Sequence, residues 1–279
     1  MKIIQIGYGA WGAKLARAIK DSPYLDLVGI HTRKPIENTL YFNDLDKALD
    51  DRTVQGVIIA TPLKDRHKLI MRCLDAGKHV LTEKPLAQNA AFAKSLIKKA
   101  QDQNLTLYTN YTHAHSLLIS MLREKIDNQK INFIKIIMTQ SDSVYSPETV
   151  STLLFSHILA ILFDISSSHL LSISIDSKVV QDKNQIIVEA NNLYICANTK
   201  SSVFTRVIEI NTDDKLVLVD FSNNGFLSVF INGVTTERFD IDQSENLTHV
   251  FKAFYTACQS GEAANYDQAI SVQKILDQF

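Results

Sequence analysis

The sequence has 279 residues, and three kinds of pattern are scarce in it. Each scarcity removes a class of protein. Cysteine is rare: Cys73, Cys196 and Cys258 lie far apart with no CxxC pair. That excludes a disulfide framework or a zinc site of paired thiolates, and it fits reduced thiols used for packing in a cytoplasm. Charge of one sign is also missing, because 29 Lys and Arg stand against 30 Asp and Glu, for a net charge of -1. A nucleic-acid binder or a protein of anionic membranes needs a basic surface, so neither is expected as a partner. Long hydrophobic runs are absent too. The most apolar segment, 153–163, is broken by Ser156 and His157 and falls far short of the roughly 20 apolar residues of a membrane span. The apolar N-terminal run is interrupted by glycines and Lys14, which is unlike a signal peptide. The Asn246-Leu247-Thr248 sequon is therefore discounted as a glycosylation site. There are no internal repeats or low-complexity stretches.

What is present is a 46% hydrophobic chain, long enough for one large or two ordinary domains. It opens with a short apolar strand through Ile3, Ile4 and Ile6, which runs into Gly7, Tyr8, Gly9, Ala10, Trp11 and Gly12 and then into a helical pattern through Leu15, Ala16 and Ile19. A GxGxxG turn between a strand and a helix suits a pyrophosphate. The first glycine permits the turn, the second lets the backbone approach the ligand, and the third lets helix and strand pack closely. The helix N-terminus adds N–H donors. A glycine-rich βα turn that binds nothing is the competing interpretation of these residues.

Leu25, Leu27, Val28 and Ile30 form a second strand that ends in His31, Thr32, Arg33 and Lys34. An acid at this position would bind the ribose 2′-hydroxyl of NAD. A hydroxyl followed by cations suits a 2′-phosphate instead, so Thr32 and Arg33 favour NADP(H), with NAD(H) possible. A helix near 44–50 precedes a buried strand through Val57, Ile58 and Ile59, which ends at Thr61 and Pro62. A helix over 64–76 stops at Gly77, and a strand through His79, Val80 and Leu81 closes on Thr82, Glu83, Lys84 and Pro85. This βαβα alternation predicts an α/β fold with a doubly wound parallel sheet.

GYGAWG, then ATPLKDRH at 60–67, AGKHVLTEKPLA at 76–87 and the closing DQAISVQKILDQF resemble the Gfo/Idh/MocA oxidoreductase family. The resemblance runs the length of the chain, and its most specific part is Glu83-Lys84-Pro85 following AGKHV. It implies a Rossmann domain, a C-terminal domain with an open sheet, and hydride transfer to or from NAD(P). It also implies that Lys84 is catalytic. An ammonium at the C-terminal edge of a parallel strand can stabilise charge developing on a substrate oxygen. Glu83 is expected to orient Lys84 or contact the cofactor, and Pro85 to fix the backbone, with a cis peptide possible. Thr61, Pro62 and His67 are expected on the cofactor side.

The last strand of the first domain spans 104–111, which sets the domains at 1–112, dinucleotide-binding, and 113–279, for substrate binding and oligomerisation. A helix follows over 113–125, with His113 and His115 at its start as candidate pocket residues. The residues around His157 resemble the family segment that carries a histidine facing the lysine, where an unperturbed pKa of about 6.5 suits proton transfer. Many family members place an aspartate four residues earlier, where this chain has Leu153. Beyond a strand at 131–139, alternation at Leu171, Ile173 and Ile175 and in later runs predicts an antiparallel sheet. Asn191-Asn192, Asn224-Gly225 and Asn232-Gly233 supply its hairpin turns. Helices are expected near 245–260 and 267–279. The resemblance implies a homo-oligomer formed through the open sheet face. It also implies a small-molecule substrate, with hydride exchanged at a hydroxyl or carbonyl carbon of a sugar, polyol or related metabolite. A catalytically impaired NADP-binding sensor or partner subunit and an imine or double-bond reductase are the alternatives.

Overall fold

The fold is described from a computed structural model covering residues 1–33, 35–37, 40–141, 149–166, 177–222, 225–261 and 264–279. It divides into two units. The first comprises Met1–Tyr111 and Leu247–Asp277, and the second Thr112–Asn246 and Gln278–Phe279.

Six parallel strands build the first unit: β1 (Lys2–Ile6), β2 (Asp26–His31), β3 (Tyr41–Phe42), β4 (Gly56–Ile59), β5 (His79–Glu83) and β6 (Leu107–Asn110). Their order is β3-β2-β1-β4-β5-β6. Strand order therefore reverses between β1 and β4, the crevice where open α/β sheets bind ligands. The connecting helices are α1 (Ala10–Lys20), α2 (Leu45–Asp50), α3 (Leu63–Asp75) and α4 (Ala90–Asp102). All of β4 is buried, as its continuous Val57-Ile58-Ile59 run requires of a strand covered on both faces. Local chemistry sets several helix ends. Asp44 and Asn89 accept from the backbone N–H groups of Lys47 and Phe92 at the starts of α2 and α4. Gly77, at φ +71, follows α3.

The sheet edge at β6 is closed from far along the chain. The Asn265 side chain exchanges hydrogen bonds of 3.0 and 2.8 Å with the backbone N–H and C=O of Thr109. The Tyr266 hydroxyl accepts from Leu107 N and donates to Leu105 O, both at 3.3 Å. These contacts satisfy an edge that would otherwise template strand addition. They correct the expected domain composition, which assigned 113–279 to the second domain. The last helices, α7 (Asn246–Ser260) and α8 (Tyr266–Leu276), pack in the first unit. The physical reason is that Val250, Phe251, Phe254, Ala269 and Val272 supply buried core there.

The second unit begins with α5 (Leu117–Ile126), capped by Ser116, so His113 and His115 precede the helix and do not form its first turn. Strand β7 (Ile131–Thr139) follows. A π-helical turn, Ser151–Phe155, leads into α6 (Ser156–Ile165). The sheet is completed by β8 (Lys178–Gln181), β9 (Gln185–Ala190), β10 (Leu193–Asn198), β11 (Thr205–Thr212), β12 (Leu216–Asp220), β13 (Gly225–Ile231) and β14 (Val234–Ile241). Its order is β14-β13-β12-β11-β7-β10-β9-β8. Strands β7 and β10 pair in parallel, and the other neighbours are antiparallel. Asn232 and Gly233, both at positive φ, turn β13 into β14. Strand β8 has no periodic signal in the sequence, because it is an edge strand exposed along its whole length, and β14, also an edge strand with mostly exposed positions, is signalled only by the Asn232-Gly233 turn before it. Leu171, Ile173, Ile175, Asn224 and Lys34 lie outside the described residues.

Candidate cofactor and catalytic site

Each glycine of the opening turn has its own steric reason. Gly7 sits at φ +99, donates its N–H to His31 O at 2.8 Å, and would place a Cβ 2.3 Å from Ala60 O. A Cβ on Gly12 would stand 2.5 Å from Gly7 O. Gly9 differs, because a Cβ there meets nothing within 4 Å. It is also the N-cap of α1, which has no side-chain cap and no acid in its first turn. A helix start with no side-chain cap and no acid, next to a glycine with open space at its Cβ position, is suited to phosphate oxygens. The side-chain hydroxyl of Thr61 is buried with no hydrogen-bond partner among the described residues, and its methyl lies 3.1 Å from the Cβ position of Gly7. A nicotinamide dinucleotide matches these features.

Gln5 lies outside the motifs that the sequence sets apart. It is fully buried in β1, and its Nε2 donates to Gly7 O and Gly12 O at 2.8 Å each. A lone amide in the strand KIIQI was the available signal, since a buried polar side chain must find partners.

Trp11 and Glu83 are joined. Trp11 Nε1 donates to Glu83 Oε1 at 2.6 Å, and Asn110 Nδ2 donates to the same oxygen at 2.7 Å. The glycine turn is therefore tied to the end of β5, where Lys84 follows. The Lys84–Pro85 peptide is cis. Beneath it lies Arg66 of α3, 2% exposed, whose Nη1 donates to Glu83 O and Pro85 O and whose Nη2 donates to Thr61 O at 2.9 Å. Nothing in the local sequence distinguishes Arg66 from a solvated helix arginine. His67, its neighbour, packs against Phe92 with the rings tilted and their centroids 4.6 Å apart.

At the end of β2, Arg33 is 80% exposed and stands 3.9 Å from the Asp65 carboxylate. Tyr8 and Thr32 are half-buried, and Ala10 and Pro62 are exposed. Burial pushes the Tyr111 hydroxyl well above its ordinary pKa, against the opposing influence of Arg66.

His157 belongs to the second unit, on α6. Its ring meets that of His113 edge-on, at 4.8 Å between centroids, and His113 in turn meets Phe221 at 5.7 Å. His115 joins neither ring contact. Leu153 occupies the π-helical turn, and Ser156 donates to Thr152 O. Farther along α6, burial pushes the Asp164 carboxyl up to about 6, with Arg123 opposing.

The family model for the Gfo/Idh/MocA oxidoreductases, described as having an NAD-binding Rossmann fold, matches residues 1–111. A 4-carboxy-2-hydroxymuconate-6-semialdehyde dehydrogenase from Sphingobium is 30% identical over 45% of this chain and 43% of its own length. A dTDP-3,4-didehydro-2,6-dideoxy-alpha-D-glucose 3-reductase from Streptomyces violaceoruber is 34% identical over 32% of this chain and 26% of its own length. These matches span less than half of either relative. Among solved structures, KijD10, a 3-ketoreductase from Actinomadura kijaniata in complex with NADP and TDP-benzene, superposes with a TM-score of 0.82 at 15% identity. That superposition covers 99% of this chain and 96% of KijD10, a likeness of fold. The glycine turn, the strand order and the Glu83-Lys84-Pro85 segment all lie within the matched region, so residues 1–111 form a Rossmann domain of the Gfo/Idh/MocA oxidoreductase family.

Proposed function

We propose that this chain is an NADP(H)-dependent oxidoreductase that exchanges hydride with a hydroxyl or carbonyl carbon of a sugar or related small metabolite. The observation that carries this reading is the Trp11–Glu83 hydrogen bond, which couples the glycine turn to the strand end bearing Lys84. A nicotinamide cofactor, when bound, supplies or accepts the hydride. Gly9 and the first N–H groups of α1 hold its phosphates. Arg33, tied to Asp65 only by an exposed pair of the kind worth little, is available to a 2′-phosphate. Lys84 stabilises negative charge on the reacting oxygen, and His157 is the proton-transfer group by resemblance. The sugar preference is supported by the activities for which the dTDP-sugar 3-reductase and the 3-ketoreductase are named.

Turnover of NADPH against a panel of sugars, nucleotide sugars and keto compounds tests the reading. Lys84→Ala should lower kcat by about 100-fold or more while NADPH still binds. An NADPH-binding protein without turnover, whose Lys84→Ala variant keeps its biological role, would overturn it in favour of a sensor. Leu153, in place of a carboxylate, is the feature that favours that second reading. Arg33→Ala should weaken NADPH and leave NADH unchanged; NADH binding more tightly than NADPH in the unaltered protein would reverse the cofactor assignment.

A homo-oligomer is part of the same proposal. Val180, Ile187, Cys196, Ile137 and Val207 are successive cross-strand partners on β8, β9, β10, β7 and β11, so they form one apolar row on the more exposed sheet face. Such a row is best covered by another copy. Light scattering at micromolar concentration should give a multiple of 31.4 kDa, and Ile137→Arg should give the monomer. A monomeric unaltered protein refutes this part.

A further inference from the structure

We infer that Arg66 is a positioning residue for Lys84, acting through the backbone on both sides of it. The inference rests on the role proposed for Lys84. Lys84 directly follows Glu83, the last residue of β5, where the sheet register ends with Glu83 paired to Asn110. Two carbonyls flank it, those of Glu83 and Pro85, and both accept hydrogen bonds from a single nitrogen, Nη1 of Arg66. Nη2 of the same guanidinium takes Thr61 O, at the end of the neighbouring strand β4. The planar group thus fixes the peptide frame around Lys84 and ties it to the strand end beside the glycine turn. A guanidinium does this because its donors diverge in a rigid plane, whereas an ammonium is a point donor on a flexible stem. The side chain lies in the interior at 2% exposure, so it meets neither solvent nor substrate.

The same strand carries a built-in control. At its opposite end Lys78, 5% exposed, donates from Nζ to Asp51 O and Val54 O at 2.8 Å each. Lys78 is therefore a buried cation bound to backbone carbonyls, remote from Lys84 along β5. Losing it should loosen the unit without touching the frame of Lys84.

The experiment compares Arg66→Lys, Arg66→Met and Lys78→Met with the unaltered protein, each first shown to be folded by circular dichroism. If Arg66→Met does not fold, Arg66→Lys serves. On any compound of the panel that turns over, the Arg66 variants should lose about 10- to 100-fold in kcat, the scale of a misplaced catalytic group, with a much smaller change in NADPH affinity. Lys78→Met should keep the kcat of the unaltered protein. A second readout needs no substrate. Lysines are reductively methylated with 13C, and the Lys84 resonance is assigned by its loss in Lys84→Arg. It should be distinct from the solvated lysines in the unaltered protein, move toward them in the Arg66 variants, and stay in place in Lys78→Met. Equal kcat in folded Arg66 and Lys78 variants, or an unmoved Lys84 resonance in the Arg66 variants, overturns the inference. A displaced resonance in a protein with no turnover upholds the positioning role and rejects the oxidoreductase reading, so the two failures are separable.

Discussion

Gly9→Ala and Gly12→Ala separate the fold of the glycine turn from its ligand. At Gly12 the new methyl would sit 2.5 Å from Gly7 O, where ordinary contact begins at 3.4 Å. Gly7 O cannot yield easily, because it is backbone tied through Gln5 Nε2 to Gly12 O, and that amide itself stands 3.2 Å from the new methyl. Overpacking of this kind costs about 1–3 kcal/mol. For a domain of this size that lowers Tm by roughly 2–4 °C per kcal/mol. Gly9, at φ -76 and ψ -171, is extended backbone open to any residue, and the methyl meets nothing. The gain from restricting the unfolded chain, about 0.4–1 kcal/mol, offsets the poorer capping by Ala, so Tm should stay within about 2 °C. The methyl does fill the space assigned to the cofactor phosphates. A tenfold weaker NADPH complex would cut the ligand-induced stabilisation at 100-fold excess over the original Kd from about 2.7 to about 1.4 kcal/mol. Thermal scans with and without NADPH read both quantities. A Gly9→Ala protein that keeps the full NADPH shift refutes the phosphate placement at this turn.

Trp11 is the sole tryptophan, so its emission reports the Glu83 contact directly. Glu83→Ala should move emission to longer wavelength and cost about 1–3 kcal/mol through the unpaired indole N–H; an unchanged spectrum would show that the bond is not formed in solution. Asp164 has a folded pKa of about 6, above its ordinary 3.8, because burial favours the neutral acid. Its protonated form therefore favours folding below pH 4, and that contribution is lost as pH rises through 6. Asp164→Asn should stabilise the protein by about 1–2 kcal/mol at pH 8, after allowance for partial solvent screening, and change little at pH 4. Equal effects at both pH values would contradict the burial of this carboxyl.

Local patterns were legible in the sequence because they depend on neighbours along the chain. Ile3 to Gly12 specifies a strand, a turn and a helix through torsion and period alone, and β4 through its unbroken apolar run. The Glu83-Lys84-Pro85 segment and the hairpin at Asn232-Gly233 were likewise visible. Tertiary structure alone decided which distant groups meet. Trp11 and Glu83 are 72 positions apart, and Asn265 reaches Thr109 across 156. Arg66 and Gln5 resembled ordinary polar residues until burial forced their donors onto particular carbonyls. The parallel pairing of β7 with β10 and the return of α7 and α8 to the first unit have the same origin. Sequence sets the conformation a segment prefers, but a buried polar or apolar group is satisfied only by the surface that the completed fold brings to it.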